Sequence, residues 1–514
     1  MKVISLLVFA FLFVKISESS RILFVFPSPS KSHLIVVKGL STTLAERGHD
    51  VTVVSPFPLD KPMKNYRDIN VEIPQDEMEK FNTYVINNPK PNMFKLMPAL
   101  FSILFKMSDN MFESEEFKKV LDEEKFDLVI IGMFFNNYLL GIGDHFKCPT
   151  MILSVTGTMT MLNVLVGNPL AVTSVQHSFF ESGNMGTFSS RVANFLLHGS
   201  DYGFIALCDY LFKDRYNQYF PSDRYISYEE AKKNISMILV NTHFSQTYIR
   251  PFVPAMVEVG GLQIKPTPDK LPEKLEKWLD EASQHGVIFF SLGSNAKTSF
   301  LPTYKIEILL KVFSQLKQRV IMKWESDELE GKPNNVLISK WLPQDDILAH
   351  PNVRMFISHC GLGSVVEARY HGVPVVSMPL GIDQIKNAEN IVNEGWSVKV
   401  DFKNLNEKDL FDAIKEILND PRYNSKAKTL SVLYRDRPTS AREIASYWVE
   451  YVIRHRGAPH IRYPGTDLNF WQYNSIDVIL FLLIIAYVLF KIFIVVMKML
   501  MSKIFKQKKK SKTN

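Results

Sequence analysis

The sequence predicts an α/β fold with two doubly wound parallel-sheet domains and one C-terminal transmembrane helix. Strand and helix patterns alternate from residue 21 onward, and the same alternation resumes near residue 287. Such alternation is typical of parallel sheets that carry helices on both faces. An apolar stretch at residues 478–497 is long enough to cross a bilayer. With 514 residues, of which 46% are hydrophobic, the chain can fill two cores.

The first domain begins with a strand, a helix and a second strand. An apolar run leads into a polar loop and then a helical stretch, which ends at a Gly-His pair before the next apolar run. Further buried strands are indicated by two apolar runs that flank a helical stretch. The predicted segments are a strand at 21–27, a loop at 28–32, a helix at 33–47, and strands at 51–54, 127–131 and 149–153.

The second domain repeats this plan after a linker rich in Pro, Gly and Lys at residues 250–272. Strands are predicted at 287–291, 320–324 and 336–339, with a helix at 302–317. The expected organisation is a signal peptide at 1–19, a first domain at 20–255, a second domain at 256–440, a helix and connector at 441–475, a transmembrane helix at 476–498 and a tail at 499–514.

Two apolar segments of the first domain have no clear period. Residues 92–117 and 157–220 are rich in Phe, Met and Leu and poor in charge. They are interpreted as insertions that line an apolar pocket and rest on a membrane surface. Ordinary core packing explains the same composition, and the sequence does not decide between the two.

The two ends of the chain indicate targeting. Residues 1–19 have an early lysine, an apolar run and small residues at the end, as a cleaved secretory signal does. The lysine-rich residues after the apolar helix favour the cytoplasmic side. The chain is therefore expected in the endoplasmic reticulum membrane as a single-pass type I protein with lumenal domains. The last five residues resemble a lysine-based retrieval signal, although a plain stop-transfer flank explains them too.

Charge and cysteine content exclude some functions. The formal net charge is +7, but residues 498–514 hold seven lysines and no acidic residue, which leaves the remainder neutral. No nucleic-acid surface is therefore expected. The three cysteines have no metal-ligand spacing, and a Cys148–Cys208 disulfide is open. Asn234 begins an Asn-Ile-Ser sequon, which is expected to carry a glycan in the lumen.

The densest group of polar residues lies between residues 356 and 384. A buried strand, a glycine-bearing turn, a helix, a second strand and a second loop follow one another there. Polar groups then fall at the carboxyl ends of parallel strands, where α/β sheets bind ligands. Gly361 and Gly363 let backbone amides approach a phosphate at a helix N-terminus. Glu367, one turn into that helix, can accept hydrogen bonds from a sugar diol.

This array resembles the nucleotide-sugar signature of the UDP-glycosyltransferase family, whose members transfer a sugar from a UDP-sugar to a small, usually lipophilic acceptor. The segments Ser291-Leu292-Gly293-Ser294 and Trp341-Leu342-Pro343-Gln344 match further family motifs. The resemblance covers nearly the whole chain and is strongest in the second half. It implies the GT-B architecture, in which two Rossmann-like domains face a cleft. Within the family, the sequence resembles the membrane-bound animal members. It is nearest to the insect UDP-glucosyltransferases and also resembles the UDP-glucuronosyltransferases.

The resemblance also implies roles for particular residues. His33 is expected to be the general base that takes the proton from the acceptor hydroxyl, a task for which imidazole is suited. Trp341 is expected to stack on uracil and Gln344 to meet the edge of the base. Further UDP-sugar contacts are expected at Ser291, Ser358, His359, Gly361, Gly363, Ser364, Glu367, Asp383, Gln384 and Arg250.

The sequence departs from the family pattern in the environment of His33. Many relatives carry an acid at the position of Gly132, after a strand, to orient the histidine. Asn137 can still hydrogen-bond the ring, but it cannot offset a positive charge. The orienting partner of His33 is therefore unassigned, with Asn137 as a candidate.

The expected reaction is the inverting transfer of a hexose to a small lipophilic acceptor. Glucose is preferred as the sugar because the pattern is nearest to invertebrate members, and UDP-glucuronate is the alternative donor. No metal is expected, since the sequence has no Asp-x-Asp dyad. A non-catalytic binder of lipophilic molecules or UDP-sugar remains the competing function. Expected partners are the UDP-sugar, the acceptor and membrane lipid, and a homo-oligomer is left open.

Overall fold

The computed structural model describes residues 19–88, 92–177, 186–246, 249–293, 298–381 and 383–510. The chain divides into two compact units, residues 1–461 and residues 462–514. The first unit holds two parallel sheets, and the described part of the second unit is helical. The predicted signal peptide, apart from Ser19, and the last four residues of the tail lie outside the described residues.

The first sheet has seven parallel strands. They are β1 (Arg21–Val25), β2 (Asp50–Ser55), β3 (Tyr66–Asn70), β4 (Leu128–Met133), β5 (Thr150–Ser154), β6 (Ile235–Val240) and β7 (Met256–Glu258). Their order is β3-β2-β1-β4-β5-β6-β7, so the sheet grows in opposite directions from β1, as a doubly wound sheet does. Every residue of β4 and β5 is buried, because helices cover both faces of the sheet. The sheet includes β7 and so extends beyond the predicted domain boundary at residue 255.

Eight helices of at least six residues connect these strands within the described residues. They are α1 (Lys31–Glu46), α2 (Gln75–Asn87), α3 (Met93–Glu113), α4 (Glu115–Glu123), α5 (Gly141–Phe146), α6 (Thr160–Val166), α7 (Phe188–Tyr219) and α8 (Tyr228–Lys233). Residues of α1 pack on one face of the sheet, and residues of α3, α4, α6, α7 and α8 pack on the other. The first helix starts at Lys31, two residues before its predicted start.

The second sheet has six parallel strands. They are β8 (Val287–Ser291), β9 (Arg319–Lys323), β10 (Val336–Ser339), β11 (Val353–Ser358), β12 (Val375–Ser377) and β13 (Ser397–Lys399), in the order β10-β9-β8-β11-β12-β13. The prediction of two doubly wound sheets is confirmed. The helices of this domain are α9 (Glu273–Asp280), α10 (Thr303–Ser314), α11 (Gln344–Leu348), α12 (Leu362–His371), α13 (Asp383–Asn393), α14 (Glu407–Asn419) and α15 (Pro421–Arg435).

The next helix, α16 (Ala441–Arg454), returns to the first domain. Its apolar face joins the core between α1 and the first sheet, where Val449 and Val452 are fully buried. Arg47, at the end of α1, forms ion pairs with Glu443 and Glu450 of α16, each at 2.7 Å. From the sequence, this helix is assigned to the connector before the transmembrane segment, whereas in the structure it completes the core of the first domain.

Both interpretations of the apolar segments find support. Leu104 and Met107 of α3 and Phe212 of α7 are buried in the core of the first domain. Other apolar side chains of the same helices are exposed, among them Phe188 at 75% and Tyr210 at 78%. These helices therefore pack one face inside and leave apolar groups on the other. All three cysteines are free, so the Cys148–Cys208 disulfide, which the sequence left undecided, is absent.

The second unit contains α17 (Phe470–Tyr473) and the 35-residue helix α18 (Ile476–Lys510). Residues Ile476–Ile504 contain an 18-residue window of mean hydropathy 3.1, none of which is buried in the protein, and this stretch is long and apolar enough to cross a membrane. The predicted span at 476–498 lies within this stretch. One such helix, judged by length and composition, is a candidate membrane anchor.

Candidate active site

The loops at the carboxyl ends of the two sheets meet across a cleft. The Nζ atom of Lys31, the first residue of α1, lies 3.7 Å from the ring centre of Trp341 in the second domain. A Cβ on Gly157, which follows β5, would lie 3.9 Å from Leu362, the first residue of α12. Both domains therefore contribute to one site, at the edge where parallel sheets bind ligands.

His33 lies in the first turn of α1, on the cleft side of the first domain. Ser30 is the N-cap residue, so His33 does not cap the helix. Its ring packs edge-to-face on Phe134, with ring centres 4.8 Å apart. The Nδ1 atom is sealed from solvent without a hydrogen-bond partner among the described residues. Burial lowers the pKa of the imidazole to about 4, so the ring is neutral near pH 7.

Asn137, the candidate partner of His33, is directed elsewhere. Its side chain hydrogen-bonds Tyr228, and its Oδ1 atom is buried without a partner in the described structure. The chain turns sharply at Phe135, whose φ of +56° is left-handed. This turn takes Asn137 and Tyr138 toward the sheet face covered by α7 and α8, whereas α1 packs on the opposite face. The suggestion that Asn137 orients His33 is therefore wrong.

The space of the missing acid at position 132 is filled by an aromatic ring. Val25 pairs with Ile131 in the sheet, so Phe26 is the neighbour of Gly132 in the parallel register. A Cβ on Gly132 would lie 2.3 Å from the Phe26 ring, far closer than atoms can approach. Phe26 is fully buried in the core that α1 covers. Glycine at 132 and phenylalanine at 26 therefore belong together, and no larger side chain fits at 132.

A series of aromatic rings runs from His33 into the first domain. Phe134 contacts Phe135 at 5.5 Å between ring centres. Phe135 in turn contacts Phe101 of α3 at 5.9 Å and Phe204 of α7 at 6.1 Å. The two apolar segments of the sequence thus supply rings that connect to the histidine through Phe135 and Phe134. Such a lining suits a flat apolar ligand.

Three residues predicted to bind the UDP-sugar are joined by hydrogen bonds in the second domain. Gln344, at the start of α11, donates from Nε2 to Ser364 Oγ at 3.0 Å and to Glu367 Oε2 at 2.7 Å. Trp341, just before this helix, is 46% exposed. Burial, with a smaller contribution from Asp345, raises the pKa of Glu367 to about 8. Glu367 is therefore largely protonated at neutral pH and can both donate and accept hydrogen bonds.

His359 lies between two glycines. A Cβ on Gly293 would lie 2.6 Å from the His359 ring, and one on Gly361 would lie 2.5 Å from its Nε2 atom. Gly293 also has a φ of +88°, which only glycine adopts without strain. Burial, and then the ammonium of Lys323, lower the pKa of His359 to about 4. The ring is therefore neutral near pH 7, and it occupies space that a side chain at either neighbouring glycine would fill.

Lys323 was not predicted from the sequence as a site residue. It ends β9, is 8% exposed, and donates from Nζ to the carbonyl oxygen of Gly293 at 2.5 Å. Because His359 is neutral, this ammonium is the positive charge beside it. A lysine at the carboxyl end of a buried strand is rare and was the available signal.

Ser291 and Ser358 end the paired strands β8 and β11 side by side. The hydroxyl of Ser291 accepts a hydrogen bond from Gly293 N at 3.2 Å, and that of Ser358 accepts one from Cys360 N at 3.1 Å. The two strands therefore end in the same kind of turn. Ser294, quoted in the first of these loops, lies outside the described residues.

Gly363 differs from the other glycines of the site. A Cβ there would meet no atom within 4 Å, and Gly363 is the second residue of α12. The described protein atoms thus require glycine at 361 but not at 363. Packing against the described residues does not explain glycine at 363. The close approach of a phosphate to the backbone, predicted from the sequence, would explain it.

Asp383 and Gln384 begin α13 at the carboxyl end of β12. The Gln384 side chain accepts a hydrogen bond from Leu380 N at 2.9 Å. Asp383 is exposed, and its carboxylate accepts a hydrogen bond from Asn387 Nδ2 at 3.1 Å. Asn387 also donates to the carbonyl oxygen of Cys360 at 3.0 Å, which ties this loop to the glycine turn. Asn387 was not predicted, because it acts through contacts between segments distant in the sequence.

Arg250 lies between β6 and β7, where burial lowers its pKa and the Glu258 carboxylate opposes that change. A group of polar side chains lies near it on the acceptor side. Asp201 of α7 accepts a hydrogen bond from the Thr160 hydroxyl and lies 3.0 Å from His177 Nε2. This group was missed, because its members are separated by up to 41 residues.

Solved structures share this architecture. The glycotransferase of kitacinnamycin superposes with a TM-score of 0.54 at 17% identity, covering 85% of this chain and 100% of that one. Spinosyn forosaminyltransferase SpnP gives a TM-score of 0.53 at 16% identity, covering 85% of this chain and 99% of that one. The fold is that of the two-domain GT-B glycosyltransferases.

The family follows from the sequence comparison. Residues 21–511 match the model described as "UDP-glucoronosyl and UDP-glucosyl transferase", and the chain belongs to this UDP-glycosyltransferase family. UDP-glucosyltransferase 2 of Dactylopius coccus is 37% identical over 91% of this chain and 90% of its own length. Human UDP-glucuronosyltransferase 1A6 is 30% identical over 90% of this chain and 88% of its own length. The predicted family and enzyme class are thereby confirmed.

Proposed function

We propose that this UDP-glycosyltransferase transfers glucose with inversion from UDP-glucose to a hydroxyl group of a small lipophilic acceptor. His33 is the general base, and the bond from the anomeric carbon to UDP breaks as the acceptor oxygen attacks from the opposite face. The acceptor lies in the first domain, residues 20–255, and the donor in the second, residues 256–440. The reaction as proposed uses no metal.

The observation that carries this proposal is the contact between Lys31 and Trp341. It brings Lys31, two residues before His33 on α1, to the loop proposed to bind uracil. A base and a donor site must adjoin for the acceptor hydroxyl to reach the anomeric carbon. Within the donor site, Trp341 stacks on uracil and Gln344 meets the edge of the base. The remaining donor contacts are proposed at Ser291, Ser358, His359, Gly361, Gly363 and Ser364 for the diphosphate, Glu367 for the ribose, Asp383 and Gln384 for the sugar, and Arg250 beside the donor.

Glucose is proposed over glucuronate on similarity. The insect relative named UDP-glucosyltransferase 2 is 37% identical to this chain, whereas the human UDP-glucuronosyltransferase 1A6 is 30% identical. UDP-glucuronate remains the alternative donor, and direct comparison of the two donors decides between them.

We further propose that α18 anchors the chain in the endoplasmic reticulum membrane with the two sheets in the lumen and a short cytoplasmic tail. Asn234 supports lumenal exposure, because it is solvent-exposed at the end of α8 and begins a glycosylation sequon. The full chain expressed in microsomes should lose mass on endoglycosidase treatment, and Asn234→Gln should not. An untreated chain without a glycan would contradict the lumenal placement.

The test of the reaction is mass spectrometry of microsomes that express the chain, supplied with UDP-glucose or UDP-glucuronate and mixed phenols and alcohols. A glycoside should form with UDP-glucose and should be lost in His33→Ala. His350→Ala is the matched control, because His350 is a histidine of the second domain that hydrogen-bonds Asp280. Equal product from His33→Ala would refute the role of His33.

A non-catalytic binder is the competing function, and the lack of an orienting carboxylate at Gly132 favours it. A binder would retain UDP-sugar in equilibrium dialysis yet form no glycoside with either donor. The donor network of Gln344, Ser364 and Glu367 speaks for catalysis, since a carrier of lipophilic molecules has no use for it.

A further inference from the structure

His33 is half-buried, and its neighbours are apolar. Phe134 packs on its ring, and Phe26 fills the space beside Gly132, on the sheet face that α1 covers. Burial alone lowers the pKa of His33, and no charged side chain among the described residues contributes to this change. The nearest lysine on the same helix, Lys31, directs its ammonium to Trp341 instead.

An imidazole in such surroundings is a weak base. Protonation would create a positive charge that no carboxylate offsets and that burial disfavours. A general base works best when its pKa lies near the working pH, whereas the pKa of His33 is about 4. Loss of the orienting carboxylate from a serine-protease triad lowers turnover by about 10⁴. His33 is therefore poorly suited to remove the proton of an alkyl alcohol.

The side chains that pack beside His33 are aromatic. Phe134 and Phe135 follow β4 and bring rings between His33 and the α3 and α7 helices. Phe135 adopts a left-handed φ of +56°, which is strained for a residue of this size. Strain of this kind is retained where the aim of a side chain matters. An aromatic acceptor can pack against Phe134 and Phe135 with its hydroxyl group at Nε2 of His33, since Nδ1 is sealed.

We propose that this enzyme selects its acceptors by the acidity of their hydroxyl group, glycosylating phenols and comparably acidic hydroxyls and rejecting alkyl alcohols of the same size. The proposal rests on the proposed function. In the reaction, the acceptor oxygen forms a bond to the anomeric carbon as the bond to the UDP oxygen breaks, and that electron pair leaves with UDP. The proton of the acceptor hydroxyl passes to Nε2 of His33, which as a weak base takes it more readily from an acidic hydroxyl than from an alkyl alcohol.

The first test compares acceptors of one shape on the unaltered full-length enzyme. With UDP-glucose and UDP-glucuronate each offered as donor, 4-methylphenol should be glycosylated at least about 100-fold faster, by kcat/KM, than 4-methylcyclohexanol. Rates of the two within about tenfold would overturn acceptor selection by acidity while leaving the transferase function intact. No glycoside from any acceptor or donor would overturn the transferase function itself, and this proposal with it.

The second test is the dependence of kcat/KM on acceptor acidity at about pH 6, measured with 4-nitrophenol, 4-chlorophenol and 4-methylphenol. Because a weak base removes a proton more readily from a stronger acid, kcat/KM should fall along this series as the pKa of the acceptor rises toward the value of about 10 of a simple phenol. Equal or rising kcat/KM along the series would overturn the proposal.

A third test restores the carboxylate. Gly132→Asp alone would clash with Phe26, so the variant is Phe26→Ala/Gly132→Asp, and Phe26→Ala alone is its matched control. The double variant should gain about tenfold or more in the ratio of 4-methylcyclohexanol to 4-methylphenol turnover, relative to the control. An unchanged ratio in a folded double variant counts against the proposal. The acceptor series remains decisive if the double variant does not fold.

Discussion

The two glycines around His359 show how strictly single residues are fixed in the donor domain. Gly293→Ala adds a Cβ 2.6 Å from the ring at a φ of +88°. It should lower the free energy of unfolding by about 2 kcal/mol or more and weaken UDP binding about tenfold. Calorimetry with UDP and thermal unfolding measure both effects. Gly363→Ala is the control for stability, since its Cβ would meet no atom of the described residues within 4 Å, and an equal loss of stability in both variants would refute the steric account.

Glu367 should make stability depend on pH. Its pKa is raised from 4.5 to about 8, so the folded protein holds a proton that the unfolded chain releases. The stabilisation is complete below about pH 4.5 and is lost as pH rises through about 8. Glu367→Gln removes this loss, so its urea midpoint should match the wild type at pH 5 and exceed it at pH 8.

The control for this prediction is Glu330→Gln, a change at an exposed glutamate of the same domain. Its urea midpoint should follow that of the wild type at every pH. A difference between Glu367→Gln and the wild type that stays constant from about pH 5 to pH 8 would mean that Glu367 is not the titrating group.

The sequence showed only part of the residue-level design. The group of Trp341, Gln344, Ser364 and Glu367 could be predicted, because each residue sits in a local motif at a strand end. The exclusion of a side chain at Gly132 by Phe26 could not, since it depends on the register of two strands about one hundred residues apart. The direction of the Asn137 side chain could not be predicted for a second reason. One left-handed residue, Phe135, changes the face on which the following side chains emerge.

Among the helices, α16 should be part of the first domain energetically. Val449→Ala removes a fully buried side chain between α16, α1 and the first sheet. The expected loss of stability is about 2 kcal/mol. Relative to the wild type, amide hydrogen exchange in Val449→Ala should become faster in β1 and β4 and change less in β8 and β11.

The matched control on the same helix is Tyr447→Ala, whose side chain is 50% exposed. It should leave the exchange of all four strands nearly unchanged. Slower or unaltered exchange of β1 and β4 in Val449→Ala would show that α16 does not stabilise the first domain.

Elements with their own sequence signals were predicted well. The strands β1, β8 and β10 and the helix α10 lie within a few residues of their predicted positions, because apolar runs and helix periods are local properties. The short edge strands β7 and β13 were not predicted, since three residues carry too little pattern. The packing of α16 on the first domain was also beyond the sequence, because a helix period indicates an apolar face but not its partner.

For the molecule as a whole, α18 should decide membrane attachment. A chain that ends at Ser475 should appear in the soluble fraction after carbonate extraction, whereas the full chain should remain in the membrane pellet. A chain that lacks only residues 505–514 should also remain in the pellet, because the apolar stretch is intact. Retention in the pellet of the chain that ends at Ser475 would point to a second attachment through the first unit.

The return of α16 also sets the order of events during synthesis. The first domain is not complete when β7 leaves the ribosome, because the helix that covers one side of α1 is encoded after the whole second domain. At about 5–20 residues per second, residues 259–440 take roughly 10 to 40 s to translate. During that interval the nascent first domain exposes an apolar face in the crowded compartment where it emerges. A stalled or truncated nascent chain would therefore be a client for chaperones, even though every strand of its first sheet had already been made.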